Sequence, residues 1–163
     1  MHHYVRRMRL QPHEVAVPDD IGARQDLPAA DFGYACELDL PTPTAQTAEQ
    51  WARAVFEGPP RLLRWFMVSG WVVGLGLRLG SRRSREYVLG WTIVSNAPEV
   101  IVLGVRSFML TARLVVRVTE SDVIHTTFVR YERRPARIIW PVAAMIHRRV
   151  IPFLLRNARA RVA

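Results

Sequence analysis

The sequence contains no lysine and only one cysteine, Cys36, among its 163 residues. A single cysteine excludes an intrachain disulfide and a metal site built from several thiolates. The absence of lysine excludes the Gly-Lys-Ser/Thr element of a nucleotide phosphate loop. We expect Cys36 to be a small buried residue of a strand, because a free cysteine commonly packs as an apolar side chain.

Long uncharged runs are missing as well. The longest one near the middle of the chain, residues 65–77, falls short of the roughly 20 residues that a helix needs to cross a bilayer. The first 17 residues mix histidine and arginine and lack the apolar core of a secretory signal. We therefore expect a cytoplasmic protein.

Positive charge is abundant, and arginine carries all of it. The chain has 23 arginines against 14 acidic residues, a formal net charge of +9. The arginine bias is typical of a GC-rich genome, so it weakens the inference that each arginine binds a phosphate. A positive field still attracts anionic surfaces. A solvated face is the simplest interpretation of the basic segments. Because they lack interleaved aromatic residues for stacking bases, we rank contact with an anionic membrane above contact with nucleic acid as their possible function.

Hydrophobic periodicity predicts an α+β fold. Residues 1–30 contain several prolines and no sustained period, which predicts a loosely ordered leader before a domain at 31–163. Strands with alternating apolar residues are predicted at 31–40, 87–95, 99–106, 110–118 and 123–132. In this arrangement Leu89, Ile101 and Leu114 lie on the same side of one antiparallel sheet.

Pairing the strands in order gives a specific register. A three-residue turn at 96–98 sets Trp91 opposite Leu103, and a two-residue turn at 107–108 sets Leu103 opposite Ala112. The last hairpin keeps two registers open. A two-residue turn faces His125, Thr127, Val129 and Tyr131 inward, whereas a three-residue turn selects Ile124, Thr126 and Phe128.

Three helical segments complete the predicted fold. Thr44 or Thr47 can cap a helix at 48–57, and a second helical segment follows at 61–77. A long helix at 135–163 ends the chain, and Pro152 is expected to kink or split it. Its predicted buried stripe consists of Ile139, Val142, Ala143, Ile146, Val150 and Phe153.

The order of these elements resembles the helix-grip fold of the START-like and polyketide-cyclase superfamily (SRPBCC). Four local motifs are similar to a bacterial branch of it: His125-Thr126-Thr127-Phe128-Val129, Arg134-Pro135-Ala136-Arg137, Trp140-Pro141-Val142 and His147-Arg148-Arg149. The resemblance implies a curved antiparallel sheet, with two helices after the first strand, that grips a long C-terminal helix around an apolar chamber. Members bind lipids, sterols, polyketides or other hydrophobic molecules, and some are cyclases or hydrolases.

The function predicted from these observations is binding of a hydrophobic small molecule or lipid in that chamber. We predict no catalytic residues, no metal ligands and no cofactor, because no nucleophile and base share a motif and the histidines are scattered. Two alternatives stay open: an enzyme that uses His125 or His147 as acid or base, and a basic module that binds an anionic membrane or a protein partner. The predicted ligand-binding residues are Trp65, Trp91, Leu103, Leu114, His125, Tyr131, Trp140 and His147.

Overall fold

Seven antiparallel strands form one open sheet in the computed structural model, which describes residues 8–24, 27 and 29–162. The three longer helices pack against one face of this sheet, so the predicted α+β class is confirmed. The elements are β1 His13–Val15, α1 Asp19–Arg24, β2 Phe32–Asp39, α2 Ala48–Glu57, α3 Arg61–Ser69, a π-helical turn Gly70–Gly74, β3 Tyr87–Val88, β4 Trp91–Asn96, β5 Val100–Arg106, β6 Leu110–Val118, β7 Asp122–Tyr131 and α4 Ala136–Val162.

The strand order β1-β2-β7-β6-β5-β4-β3 places the first long strand, β2, beside the last one, β7. Two strands precede α2, so the prediction of a single strand before the helices is wrong. The additional strand, β1, lies in the predicted leader, where Glu14 pairs with Cys36 at the sheet edge. Ile21 and Leu27 are buried against the outer face of the sheet. The domain boundary at residue 31 stays a prediction.

Helix α2 has the bounds that the sequence predicts, and Thr47 is its cap. The Thr47 hydroxyl accepts a hydrogen bond from the Gln50 amide at 3.3 Å, and the Gln50 side chain accepts one from the Thr47 amide at 2.8 Å. This capping box satisfies two amide groups that would otherwise lack a partner at the helix start. The next helix, α3, continues through the π-helical turn as far as Gly74, three residues short of its predicted end.

The strand predicted at 87–95 is wrong, because a tight turn at Leu89-Gly90 divides it into a hairpin. Val88 pairs directly with Trp91, and both turn residues have positive φ angles, +46° and +89°. The Leu89 amide donates a hydrogen bond to the Glu57 side chain at 3.2 Å, which ties the turn to α2.

The prediction that Leu89, Ile101 and Leu114 lie on the same side of the sheet is nevertheless confirmed. All three are buried in the same core between the sheet and the helices. Leu89 reaches this core from the hairpin turn, although its backbone does not follow the predicted strand. The apolar inner face of the sheet therefore exists as predicted.

The predicted pairing partners are wrong, but by a shift that preserves the faces. Leu103 lies opposite Ile93 and Leu114, where Trp91 and Ala112 were predicted. Next to the β4–β5 turn the pairing differs from the predicted register by an odd number of residues. A bulge between Ile93 and Ser95 shifts the pairing by one residue, so the total shift from Ile93 away from the turn is even. The apolar residues stay on one face because the net shift is even.

A serine fixes the position of the β5–β6 turn. The Ser107 hydroxyl accepts hydrogen bonds from the amides of Met109 and Leu110, each at 3.2 Å. The Ser107 amide donates to the Leu110 carbonyl at 2.8 Å, so the turn residues are 108 and 109 rather than 107 and 108. A hydroxyl that bonds backbone groups within a turn is a local signal that strand periodicity does not contain.

The last hairpin adopts the two-residue turn of the two registers left open. The Thr119 amide donates to the Asp122 carbonyl at 2.9 Å around Glu120 and Ser121. His125 consequently lies opposite Val116 on the inner face. The other inward residues are Thr127, Val129 and Tyr131, which lie opposite Leu114, Ala112 and Leu110.

Helix α4 is one continuous helix, so Pro152 does not split it, and the alternative that Pro152 kinks the helix stays a prediction. The predicted buried stripe is wrong for four of its six members, since Val142 is 62% exposed, Ile146 48%, Phe153 42% and Ile139 37%. The other two, Ala143 and Val150, are partly buried and pack against the core. The buried positions are Ala136, Trp140, Ala144, Ile151, Leu154, Leu155 and Ala158. The C-terminal half is therefore packed by several large side chains, whereas the N-terminal half rests on a narrow face of one residue per turn.

Candidate functional site

An apolar chamber of about 480 Å³ lies between the inner face of the sheet, the α3–π segment and α4. The sheet contributes Trp91, Leu110, Ala112, Leu114 and Thr127 to its floor. The α3–π segment contributes Phe66, Met67, Gly70, Trp71 and Gly74, and α4 forms the opposite wall with residues from Ile138 to Leu154. The chamber exists because the helices bridge the sheet without filling the space above its small residues.

Four of the predicted ligand-binding residues line this chamber. They are Trp91 and Leu114 on the sheet and Trp140 and His147 on α4. The positions of these four residues agree with the predicted chamber between the apolar face of the sheet and the last helix.

The other four predicted residues lie elsewhere. Leu103 and His125 are fully buried in the core and are not among the described residues that line the chamber. Tyr131 is half-buried at the end of β7 and packs against the core. Trp65 is 66% exposed on the outer side of α3, because its position in the helix is turned away from the buried Met67.

Several lining residues were missed in the sequence, above all Phe56, Phe66, Met67, Trp71 and Thr127. The spacing of Met67 and Trp71 could have indicated that both face the chamber, since residues four apart lie on the same face of a helix. Thr127 offered another, because it shares the strand face of His125.

Aromatic rings form a connected series along the inner side of the fold. Trp71 contacts Trp91 edge-on with their centroids 5.5 Å apart. Further ring pairs join Trp71 to Phe56 at 6.5 Å, Phe56 to His125 at 5.8 Å, His125 to His147 at 5.9 Å and His147 to Trp140 at 6.0 Å. These distances are typical of stabilising aromatic contacts, and every ring of the series except His125 lines the chamber, so packed aromatic rings form part of its wall.

His147 and Thr127 form the polar pair of the chamber. The Thr127 Oγ1 and His147 Nε2 atoms lie 2.7 Å apart, a hydrogen bond between the sheet and α4. Burial, assisted by the nearby Arg148 charge, lowers the pKa of His147 to about 4. The imidazole is therefore neutral near pH 7, and it suits hydrogen bonding to an uncharged group better than pairing with an anion.

His125 lies behind this pair and is fully buried. Burial first, and His147 second, lower its pKa to about 3. In the part of the chain that the structure describes, neither ring nitrogen has a hydrogen-bond partner on another residue. The lowered pKa makes His125 neutral near pH 7. A buried polar group without a partner lowers the stability of the fold, so we expect His125 to destabilise this protein.

Cys36, directly opposite His125 on β2, was predicted to be a buried strand residue, and this is confirmed. Burial raises the pKa of the Cys36 thiol to about 11. The thiolate is the nucleophilic form of cysteine, so Cys36 is a weak nucleophile at neutral pH. Tyr34, near the same site, also has a raised pKa because of burial.

The described residues contain no group of three or more His, Cys, Asp or Glu side chains that could hold a metal ion. One described helix, α4, is long and apolar enough to cross a membrane by length and composition. In the qualifying 18-residue stretch, 28% is buried within the fold. A core helix of a soluble protein passes the same test, so this finding assigns no location.

Comparison with protein-family models, with curated proteins and with solved structures found no match to this chain. The resemblance to the SRPBCC superfamily thus gains no support from known proteins, and the candidate site is defined by its own geometry.

Proposed function

We propose that this chain binds a hydrophobic small molecule or lipid in the chamber between the sheet and α4. The observation that carries the proposal is the chamber itself, about 480 Å³ with almost entirely apolar walls. Ligand pockets typically measure about 300–1,000 Å³ and combine such walls with a few polar groups that orient the ligand.

The polar pair narrows the chemistry of the ligand. A neutral His147, already bonded to Thr127, offers hydrogen bonding without charge. No arginine is among the described residues that line the chamber, so an anionic group placed there would lose its hydration without a directly paired cation. The preferred ligand therefore has an apolar body and one uncharged polar group, such as a hydroxyl or a carbonyl.

A binding role accounts for the site better than the cyclase or hydrolase alternative. The lowered pKa values of His125 and His147 make both rings weak bases at neutral pH. General acid–base catalysis works best with a pKa near the working pH. The raised pKa of Cys36 removes a ready nucleophile from the same region.

The proposal includes the helix-grip architecture and a cytoplasmic location. In its support, β2 lies beside the final strand, two helical segments follow β2, and α4 closes the chamber. The curvature of the sheet and the cellular location are expectations of this proposal, and fractionation of the native host would test the location.

A chamber-filling variant tests the function directly. Ala143 on α4 lines the chamber, whereas Ala160, on the same helix, is exposed and lies outside it. We expect Ala143→Phe to reduce binding of an uncharged fluorescent probe such as Nile red by about tenfold, and Ala160→Phe to leave it unchanged. A tenfold loss corresponds to about 1.4 kcal/mol.

Extraction of the protein purified from its own host supplies an independent measurement. We expect native mass spectrometry to detect an apolar molecule that Ala143→Phe excludes. Probe binding that is equal in both variants, together with an empty wild-type protein, would contradict the proposed function.

A further inference from the structure

Two exposed apolar surfaces flank the chamber, and we call them the lips. Together they hold ten of the fifteen large apolar side chains that are exposed in the described residues. One lip consists of Leu62, Trp65, Phe66, Val72 and Val73 on the α3–π segment. The other consists of Ile138, Ile139, Val142, Met145 and Ile146 on α4.

The lips are continuous with the chamber. Phe66 belongs to the first lip and Val142 and Ile146 to the second, and all three also line the chamber. The most exposed side chain, Val73, is 85% exposed, and Leu62 and Ile138 are each 77% exposed. An apolar surface of this extent on a water-soluble domain marks a site of contact with a partner or a membrane.

The charge on the same elements is of one sign. The segment Arg61–Gly74 and the helix Ala136–Val162 contain eight arginines and no acidic residue. Arg61 and Arg149 are exposed there, next to lip residues in the sequence or one helical turn away, whereas Arg148 lies over the rings of Phe32 and Tyr34 on the β2 side of α4. All 14 acidic residues of the chain therefore lie outside the elements that carry the lips.

We propose that the lips dock on an anionic lipid bilayer, with the chamber opening toward the membrane. The apolar side chains enter the interfacial layer, and the arginines contact anionic headgroups. Trp65 suits this position, since tryptophan is enriched where a protein meets the membrane interface. The inference rests on the proposed function only for the opening of the chamber, because docking itself requires the lips and the arginines.

Charge favours a bilayer over a second copy of this chain. Two copies joined through their lips would bring the arginines of one against the same arginines of the other. An anionic bilayer instead matches both properties of these elements, their exposed apolar side chains and their positive charge without any acidic residue. Helix α4 would lie in the plane of the interface, because its other side packs on α2 and the sheet.

The test uses the full chain and vesicles of phosphatidylcholine with or without phosphatidylglycerol. We expect sedimentation with the anionic vesicles at low salt, weaker binding at high salt, and little binding to neutral vesicles, because salt screens the attraction. Brominated lipids should quench fluorescence from Trp65 on docking. A Trp65→Phe variant should lose most of that quenching, because the fluorescent indole at the interface is then absent.

Matched valine substitutions isolate the lips. Val73→Asp alters a lip, whereas Val94→Asp alters a valine on β4 that is 44% exposed and lies outside the lips. We expect Val73→Asp to weaken binding to anionic vesicles by about tenfold, or about 1.4 kcal/mol, and Val94→Asp to change it little. Circular dichroism should show both variants folded.

Three results would overturn docking: no anionic preference at low salt, equal losses in the two valine variants, or a vesicle-free dimer that Val73→Asp dissociates. The Nile red measurement separates this inference from the proposed function. Probe binding without vesicle binding overturns docking alone, whereas vesicle binding without probe binding supports docking and overturns the chamber function.

Discussion

The Thr127 hydroxyl on β7 and the His147 Nε2 atom on α4 are hydrogen-bonded at 2.7 Å. This bond joins the sheet to the sparsely packed half of α4, where only Ala136, Trp140 and Ala144 are buried. It therefore positions the chamber wall and supplies its polar group at the same time.

Replacing Thr127 by valine should remove this bond while keeping the shape of the side chain. Thr127 is buried and His147 is partly buried in the apolar wall of the chamber, so the His147 ring would lose its partner in apolar surroundings. We expect the free energy of unfolding to fall by about 1–3 kcal/mol, the usual cost of a buried polar group left without its partner. Urea unfolding measures the change.

The control for this variant is Thr92→Val on β4. Thr92 is exposed, so the same substitution there should change stability by about 0.5 kcal/mol or less. Equal effects at the two threonines would show that the Thr127–His147 bond contributes nothing.

Stability should depend on pH through the two buried histidines. Their folded-state pKa values, about 3 for His125 and about 4 for His147, lie below the ordinary value of 6.5. Their contribution is complete above pH 6.5 and is lost as the pH falls toward 4, because the unfolded chain takes up protons that the folded chain excludes. For His125 the loss by pH 4 is about 3 kcal/mol.

The variant His125→Leu tests the source of that dependence. Both ring nitrogens of His125 lack partners on other described residues, so an apolar replacement should leave stability at pH 7 unchanged or higher. The loss of stability between pH 6.5 and pH 4 should become smaller. Urea titrations at pH 7 and pH 5 measure both effects, and an unchanged pH dependence would contradict the assignment to His125.

We predict that Gly90, in the β3–β4 turn, cannot be replaced by a residue with a side chain without a loss of stability. Its φ angle is +89°, and an added Cβ would lie 2.9 Å from the Cβ of Leu79. We expect Gly90→Ala to lower stability by about 2 kcal/mol, since a left-handed conformation alone costs an L-residue about 1–2 kcal/mol.

Gly22 supplies the comparison for this substitution. An added Cβ there meets nothing within 4 Å, and the residue lies in helix α1. Gly22→Ala should therefore leave stability unchanged or raise it by up to about 1 kcal/mol. Thermal unfolding of the two variants distinguishes the sites, and equal melting temperatures would contradict the described turn.

The parts of the fold that depend on local patterns could be predicted. The alternation from Leu110 to Val118 fixes both the strand and its buried face, because the period of two admits no other arrangement. Helix α2 could be predicted because Thr47 and Gln50 form a capping box before an apolar face. These signals are local, so no knowledge of the remaining chain is needed.

The remaining features depend on contacts that the sequence pattern does not contain. Leu89 adopts a positive φ angle in a turn that Glu57 stabilises from another element. Ser107 moves the neighbouring turn through two hydrogen bonds. The apolar stripe of α4 was assigned to the core because apolar residues are usually buried, yet Val142 and Ile146 face outward beside the chamber.

Pro152 stands where the two differently packed halves of α4 meet. Proline has no amide hydrogen, so the carbonyl of Arg148, four residues earlier, cannot receive its regular helical bond. Pro141, in the N-terminal half, leaves the Arg137 carbonyl without its helical bond in the same way, so α4 has two positions at which bending breaks fewer backbone bonds. A change of angle between the two halves would therefore leave most backbone hydrogen bonds of α4 intact, and the Thr127–His147 bond is the contact that would resist it.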